Sequence, residues 1–204
     1  MMSKKRIFCG FNDSLAKSSE LIFKTLGLVF LHGPNAENLK LAAFAIDSSY
    51  ELGCLPEAEY NEVKKEWELE NLRRIYGSLF CLGTSSLSLY ESVWKTGLAM
   101  QQSRDEVRSL MHKAELIPNN PSNEPEDHLG YIYFLIGSTL EKLAAKGASE
   151  KQKEQTLIIL QDGLSHLSWT EKLSSAISSR NIGTFYPTLI NIANRLSKTL
   201  LKNN

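Results

Sequence analysis

The chain has 204 residues, 42% apolar and 23% charged, with 23 basic side chains balancing 23 acidic ones. That length supports one substantial hydrophobic core, and the composition excludes both a disordered chain and a disulfide-dependent mini-fold. Zero formal net charge leaves no basic surplus for neutralising phosphates, and with no basic stripe in the sequence a nucleic-acid partner is not expected.

The start, "MMSKKRIFCGFNDSLAK", is basic, but Asn12 and Asp13 interrupt any apolar stretch before it reaches signal-peptide length. Residues 1–17 are expected to be a flexible lead-in to a single domain covering 1–204, and the protein to be cytoplasmic. The longest apolar runs, "LGLVFL" and "YIYFLI", fall short of the roughly 18 to 20 residues of a membrane span, so no integral membrane segment is expected. Cys9, Cys54 and Cys81 form no C-x-x-C pair and read as buried free thiols.

Helical spacing dominates the remainder of the chain. From Ser18, the positions Leu21, Ile22, Leu26, Val29 and Phe30 recur at three and four, and "HGPN" ends the segment. A second helix is expected over about 35–50. A third, over 56–82, would turn Tyr60, Val63, Trp67, Leu72, Ile75 and Leu79 inward, with Arg73 and Arg74 on its solvated face. The stretch over about 81–103 is polar and rich in serine and glycine yet carries Tyr90, Val93 and Trp94. Such rings mark either a functional loop or one pinned to the core, and both readings stay open. A short amphipathic helix, "SRDEVRSLMHKA", precedes a second long loop over about 115–124.

The most buried helix is expected from Pro125, since proline suits a first helical turn and the dipole favours Glu126 and Asp127 there. Leu129, Ile132, Tyr133, Ile136, Leu140 and Leu143 form its inner face. Gly147 is a stop, Ser149 opens a capping box in "SEKQ", and two further helices cover about 167–179 and 184–201. No run of alternating β-branched residues appears, so the fold class is all-α.

The residues with chemical potential concentrate in "NEPEDHLGYIYFLIG", positions 123–137. Glu124 and His128, at i and i+4, have a spacing that metal sites use, and with Asp127 they allow a small helical metal-dependent hydrolase as one reading. A catalytic metal needs a third ligand, and no H-E-x-x-H pattern supplies it. A second reading is a helix start and nothing more. A third joins carboxylates, an aromatic loop and a wide apolar helix into a groove with an acidic lip. Such a groove suits a peptide that combines arginines with apolar side chains. No phosphate loop, dinucleotide fingerprint or nucleophile elbow is present, so no cofactor is expected, and nucleotide binding lacks a motif.

The block "EPEDHLGYIYFLI", Glu124–Ile136, resembles the E-P-x-D-H-L signature of the TorD/DmsD family of cytoplasmic redox-enzyme maturation chaperones. "YGSLFCLGTSSLSLYESVW" is similar to the family's aromatic block ending in S-V-Y/W, and "HLSWTEKLSSAISSRNIGTFYPTLINIANRL" to its C-terminal H-L-x-W and F-Y-x-x-L pattern. The stretch "SSLSLYE" departs from the family in lacking prolines. The resemblance implies an all-helical chaperone without catalysis. Its partner would be the twin-arginine signal peptide of a molybdenum-cofactor oxidoreductase precursor in the dimethyl-sulfoxide-reductase class, held until the cofactor is inserted. Glu124, Pro125, Asp127, His128 and Leu129 carry over from the signature, and Tyr76, Leu79, Phe80 and Trp94 from the aromatic block. Tyr90 joins the contacts to the apolar part of the peptide. Glu124 and Asp127 would form the acidic lip, with His128 capping the helix or orienting a carboxylate. Trp169 and Tyr186 are expected to be structural. Long helices on extended connections permit a monomer or a domain-swapped dimer.

Overall fold

The computed structural model describes residues 13–116 and 124–202, and it is all-helical: the described residues contain one isolated antiparallel bridge and no strand. The helices are α1 (Asp13–His32), α2 (Ala36–Glu51), α3 (Glu57–Lys65), α4 (Leu69–Tyr76), α5 (Glu91–Thr96), α6 (Gln102–Lys113), α7 (Leu129–Ala144), α8 (Glu150–Ser165), α9 (Thr170–Ser178) and α10 (Phe185–Lys202). A π-helical turn, Gly77–Cys81, extends α4. The expected flexible lead-in lies outside the described residues up to position 12, as does most of the expected second loop, 117–123. Asp13–Lys17, by contrast, already belong to α1.

At the centre, α1 and α7 run antiparallel in close contact. Glycines permit the approach: a Cβ on Gly130 would stand 2.9 Å from the Gly27 carbonyl oxygen, and one on Gly137 would stand 3.1 Å from that of Glu20. Phe23, Phe30, Leu129, Ile132, Tyr133, Ile136 and Leu140 fill the seam and are buried. Each such side chain contributes about 1.5–3 kcal/mol of transfer free energy, so this pair carries a large part of the core. α2 lies against α1, α8 against α7, and α9 with α10 closes the other side. α1 stops at Gly33, whose φ of +66° is a left-handed conformation that glycine adopts without strain.

The expected third helix is broken. α3 ends at Lys65 because the next two residues serve α10 instead: Glu66 accepts hydrogen bonds from the Thr184 and Phe185 amides at 2.8–3.0 Å, and Trp67 packs edge-on against Phe185 at 5.6 Å. The capping box at Ser149 is present, with Gln152 answering the Ser149 amide at 2.8 Å. Of the thiols, Cys54 is buried, but Cys81 is exposed at the end of the π-helical turn, contrary to expectation; Cys9 lies outside the described residues. No helix among the described residues is long and apolar enough to cross a membrane.

Candidate functional site

The signature segment is held by backbone before any side chain is considered. Tyr90 and His128 form the isolated bridge, in which Leu129 N–H donates to Leu89 O at 2.8 Å and Glu91 N–H donates to Asp127 O at 3.1 Å. This clasp ties the start of α5, inside the expected loop over 81–103, to the start of α7. Pro125 does not open the helix. It opens a turn closed by His128 N–H on Pro125 O at 3.0 Å, and α7 begins at Leu129 with His128 as its N-cap. The ring Nδ1 of His128 accepts from Gly130 N–H at 3.1 Å, so the capping role expected of this histidine is the one it fills. Burial pushes its pKa down to about 4, and the cap itself requires an unprotonated Nδ1.

Because the helix starts four residues later than expected, Glu126 and Asp127 lie in the turn rather than in a first helical turn, and the three acids diverge. Asp127 is wholly buried; its Oδ2 accepts from Ser92 N–H at 2.9 Å and so caps α5. It is no part of an exposed lip. Glu126 turns toward α6, where Arg108 donates Nε to Oε1 at 2.7 Å and an Nη to Oε2 at 3.1 Å, and Arg104 donates Nε to Oε2 at 3.0 Å. Partial burial opposes ionisation of Glu126, but the two guanidinium groups outweigh it and hold its pKa below the ordinary carboxylate value. Glu124 remains half-buried at the surface and accepts a short hydrogen bond from the Tyr90 hydroxyl. Burial, followed by that bond to Glu124, raises the Tyr90 pKa above its usual value.

Glu124, Asp127 and His128 therefore do not converge on a common point, and no group of three metal-binding side chains occurs among the described residues. Beneath the clasp lies a polar group the sequence did not announce. Glu91 is fully buried, with Oε2 at 2.6 Å from His166 Nδ1 and Oε1 paired with Lys95 Nζ at 2.6 Å without hydrogen-bond alignment. It links α5 to the turn after α8.

The aromatic block falls into an inner and an outer set. Leu79 and Leu129 are buried, as are Asp127 and His128. Tyr76, Phe80, Tyr90, Trp94, Glu124 and Pro125 are half-buried and reach the surface. Tyr76 donates to Phe30 O at 2.9 Å and stands close enough to Glu124 for that charge to raise its pKa further after burial has done so. Phe80 packs edge-on against Tyr76 at 5.1 Å and against Tyr186 at 5.6 Å. Trp94 donates to Ser88 O at 2.8 Å and stacks on Trp169 at 6.0 Å, so this ring pins its connection while keeping one part exposed. Trp169 and Tyr186 are buried, as structural residues should be. Leu82, Leu98 and Met100 on the same connection are exposed.

The family model described as nitrate reductase delta subunit matches residues 38–172, more than half of the chain and a span that contains the π-helical turn, α5 and the signature turn. None of the curated proteins compared matches the chain.

Proposed function

Because the chain belongs to the nitrate reductase delta subunit family, which takes in TorD/DmsD-type redox-enzyme maturation chaperones of molybdoenzymes, we propose that it binds the twin-arginine signal peptide of its client precursor. The client is a dimethyl-sulfoxide-reductase-class subunit, held in the cytoplasm until its cofactor is inserted. The supporting observation is Glu124: a half-exposed carboxylate on the signature turn, positioned by the Tyr90 hydroxyl. A carboxylate so placed receives a guanidinium, and Phe80, Trp94 and Pro125 offer apolar contact to the residues C-terminal to the arginines. Leu79, Asp127, His128 and Leu129 support this surface from beneath. No reaction is assigned to the site.

Titration calorimetry with a synthetic twin-arginine signal peptide tests the reading. Glu124→Ala should weaken binding about tenfold, the order expected for loss of a hydrogen bond to a charged group, with the circular dichroism spectrum unchanged. A peptide with both arginines replaced by lysine should also bind more weakly, because an ammonium lacks the fork. Equal affinity in both comparisons would remove the proposal. Asp127→Ala is a poor probe, since it removes the cap of α5 and alters folding along with binding.

A further inference from the structure

Two arginines of the chain itself already occupy a carboxylate of the signature turn. Arg104 and Arg108, four residues apart on one face of α6, place three N–H donors on Glu126 and use both of its oxygens. The cluster is open to water: the side chains keep 30%, 38% and 18% of their surface exposed, in the order Arg104, Arg108, Glu126. Of the neighbouring acids, Asp127 accepts from a buried amide and Glu124 from the Tyr90 phenol. Glu126 is gripped by guanidinium groups, the same chemistry the proposed cargo would bring.

We propose that Arg104 and Arg108 are internal competitors of the cargo: they hold Glu126 in the unloaded chaperone and yield it to an arginine of a signal peptide whose other arginine docks at Glu124. This inference rests on the twin-arginine reading. The exchange is of like for like, so Glu126 is never left without a counter-charge, and the released side chains are already partly hydrated on the surface of α6. α6 itself need not move, since Val107, Leu110 and Met111 keep it in the core. Competition lowers the affinity of every ligand that needs Glu126 by the same factor, so it sets how tightly cargo is held, while the preference for arginine over lysine comes from the forked contact itself.

The experiment is a calorimetric comparison of a twin-arginine peptide and its twin-lysine counterpart on three proteins: the natural chain, the double variant Arg104→Gln with Arg108→Gln, and that double variant with Glu126→Gln added. The double variant should bind the twin-arginine peptide about three- to tenfold more tightly, the scale of a few partly exposed ion pairs, and should keep its preference for arginine over lysine. Adding Glu126→Gln should abolish the gain. Unchanged or weaker binding by the double variant overturns the inference. So does a gain that survives Glu126→Gln, which would mark simple repulsion between α6 and the cationic peptide. If the double variant fails to fold, Arg104→Lys with Arg108→Lys decides, with a smaller gain expected and none overturning the idea. Failure of the natural chain to bind the twin-arginine peptide removes the underlying reading; binding without the gain removes only the competition.

Discussion

His128 shows how a single side chain can be misread as chemistry when its task is structural. It is 5% exposed, its Nδ1 is occupied by the Gly130 amide, and burial holds its pKa near 4, against about 6.5 for an exposed imidazole. The group is neutral in the folded chain and binds a proton more readily when unfolded. Its contribution to stability is therefore complete above about pH 6.5 and is lost as the pH falls toward 4, up to about 3 kcal/mol in full. Urea unfolding at pH 7 and pH 4.5 should show this loss. His128→Asn keeps an N-cap acceptor but cannot titrate, so its stability should be flatter between those two values. Glu126 follows the same linkage sign in a lower window, although there the favoured form is the charged one: its depressed pKa means that its contribution is present above the ordinary carboxylate value and is lost as the pH falls through the folded one.

Between elements, glycines separate positions where space decides from positions where propensity does. Gly130 lies where α7 meets α1, and a Cβ there would run into the Leu31 side chain and stand 2.9 Å from the Gly27 carbonyl, a backbone atom that cannot step aside. Gly130→Ala should lower stability by about 1–3 kcal/mol, since overpacking exceeds the gain in helix propensity. Gly163, inside α8, is different: the nearest atom to a Cβ is Ile136 Cγ1 at 3.5 Å, an ordinary contact. Gly163→Ala should therefore stabilise the protein by about 0.5–1 kcal/mol. Thermal melts of the two variants check both signs at once. Both glycines are helical, Gly130 in the first turn of α7 and Gly163 within α8. Their difference exists only in the distance to the neighbouring helix.

Across the whole molecule, chain segments far apart in sequence end one another's helices. Glu66 leaves α3 to cap α10, and Arg195 of α10 returns to pair with Glu59 of α3 at 3.0 and 2.5 Å. Glu66→Ala should cost about 1–2 kcal/mol in chemical denaturation, while Glu66→Gln, which keeps an acceptor, should cost less. The same long-range logic governs the candidate site, where α5 is capped by Asp127, the turn is tied to α6 by Glu126, and Glu91 reaches His166 beyond α8.

Apolar spacing at three and four determined that the chain is helical and which faces of α1 and α7 turn inward, Leu21 of α1 being the exception that stays exposed, because that periodicity is a local property of the sequence. The glycine after α1 and the Ser149 box marked helix ends for the same reason, whereas Pro125 did not open α7. The motif at Glu124–Leu129 was equally legible as a unit. The destinations of its acids were not: Glu124 meets Tyr90, Glu126 meets Arg104 and Arg108, and Asp127 meets the Ser92 amide. Those partners lie 18 to 35 positions away. No local spacing rule reaches that far, so only the packed structure decided which carboxylate faces solvent, which is held by arginine and which is sealed inside.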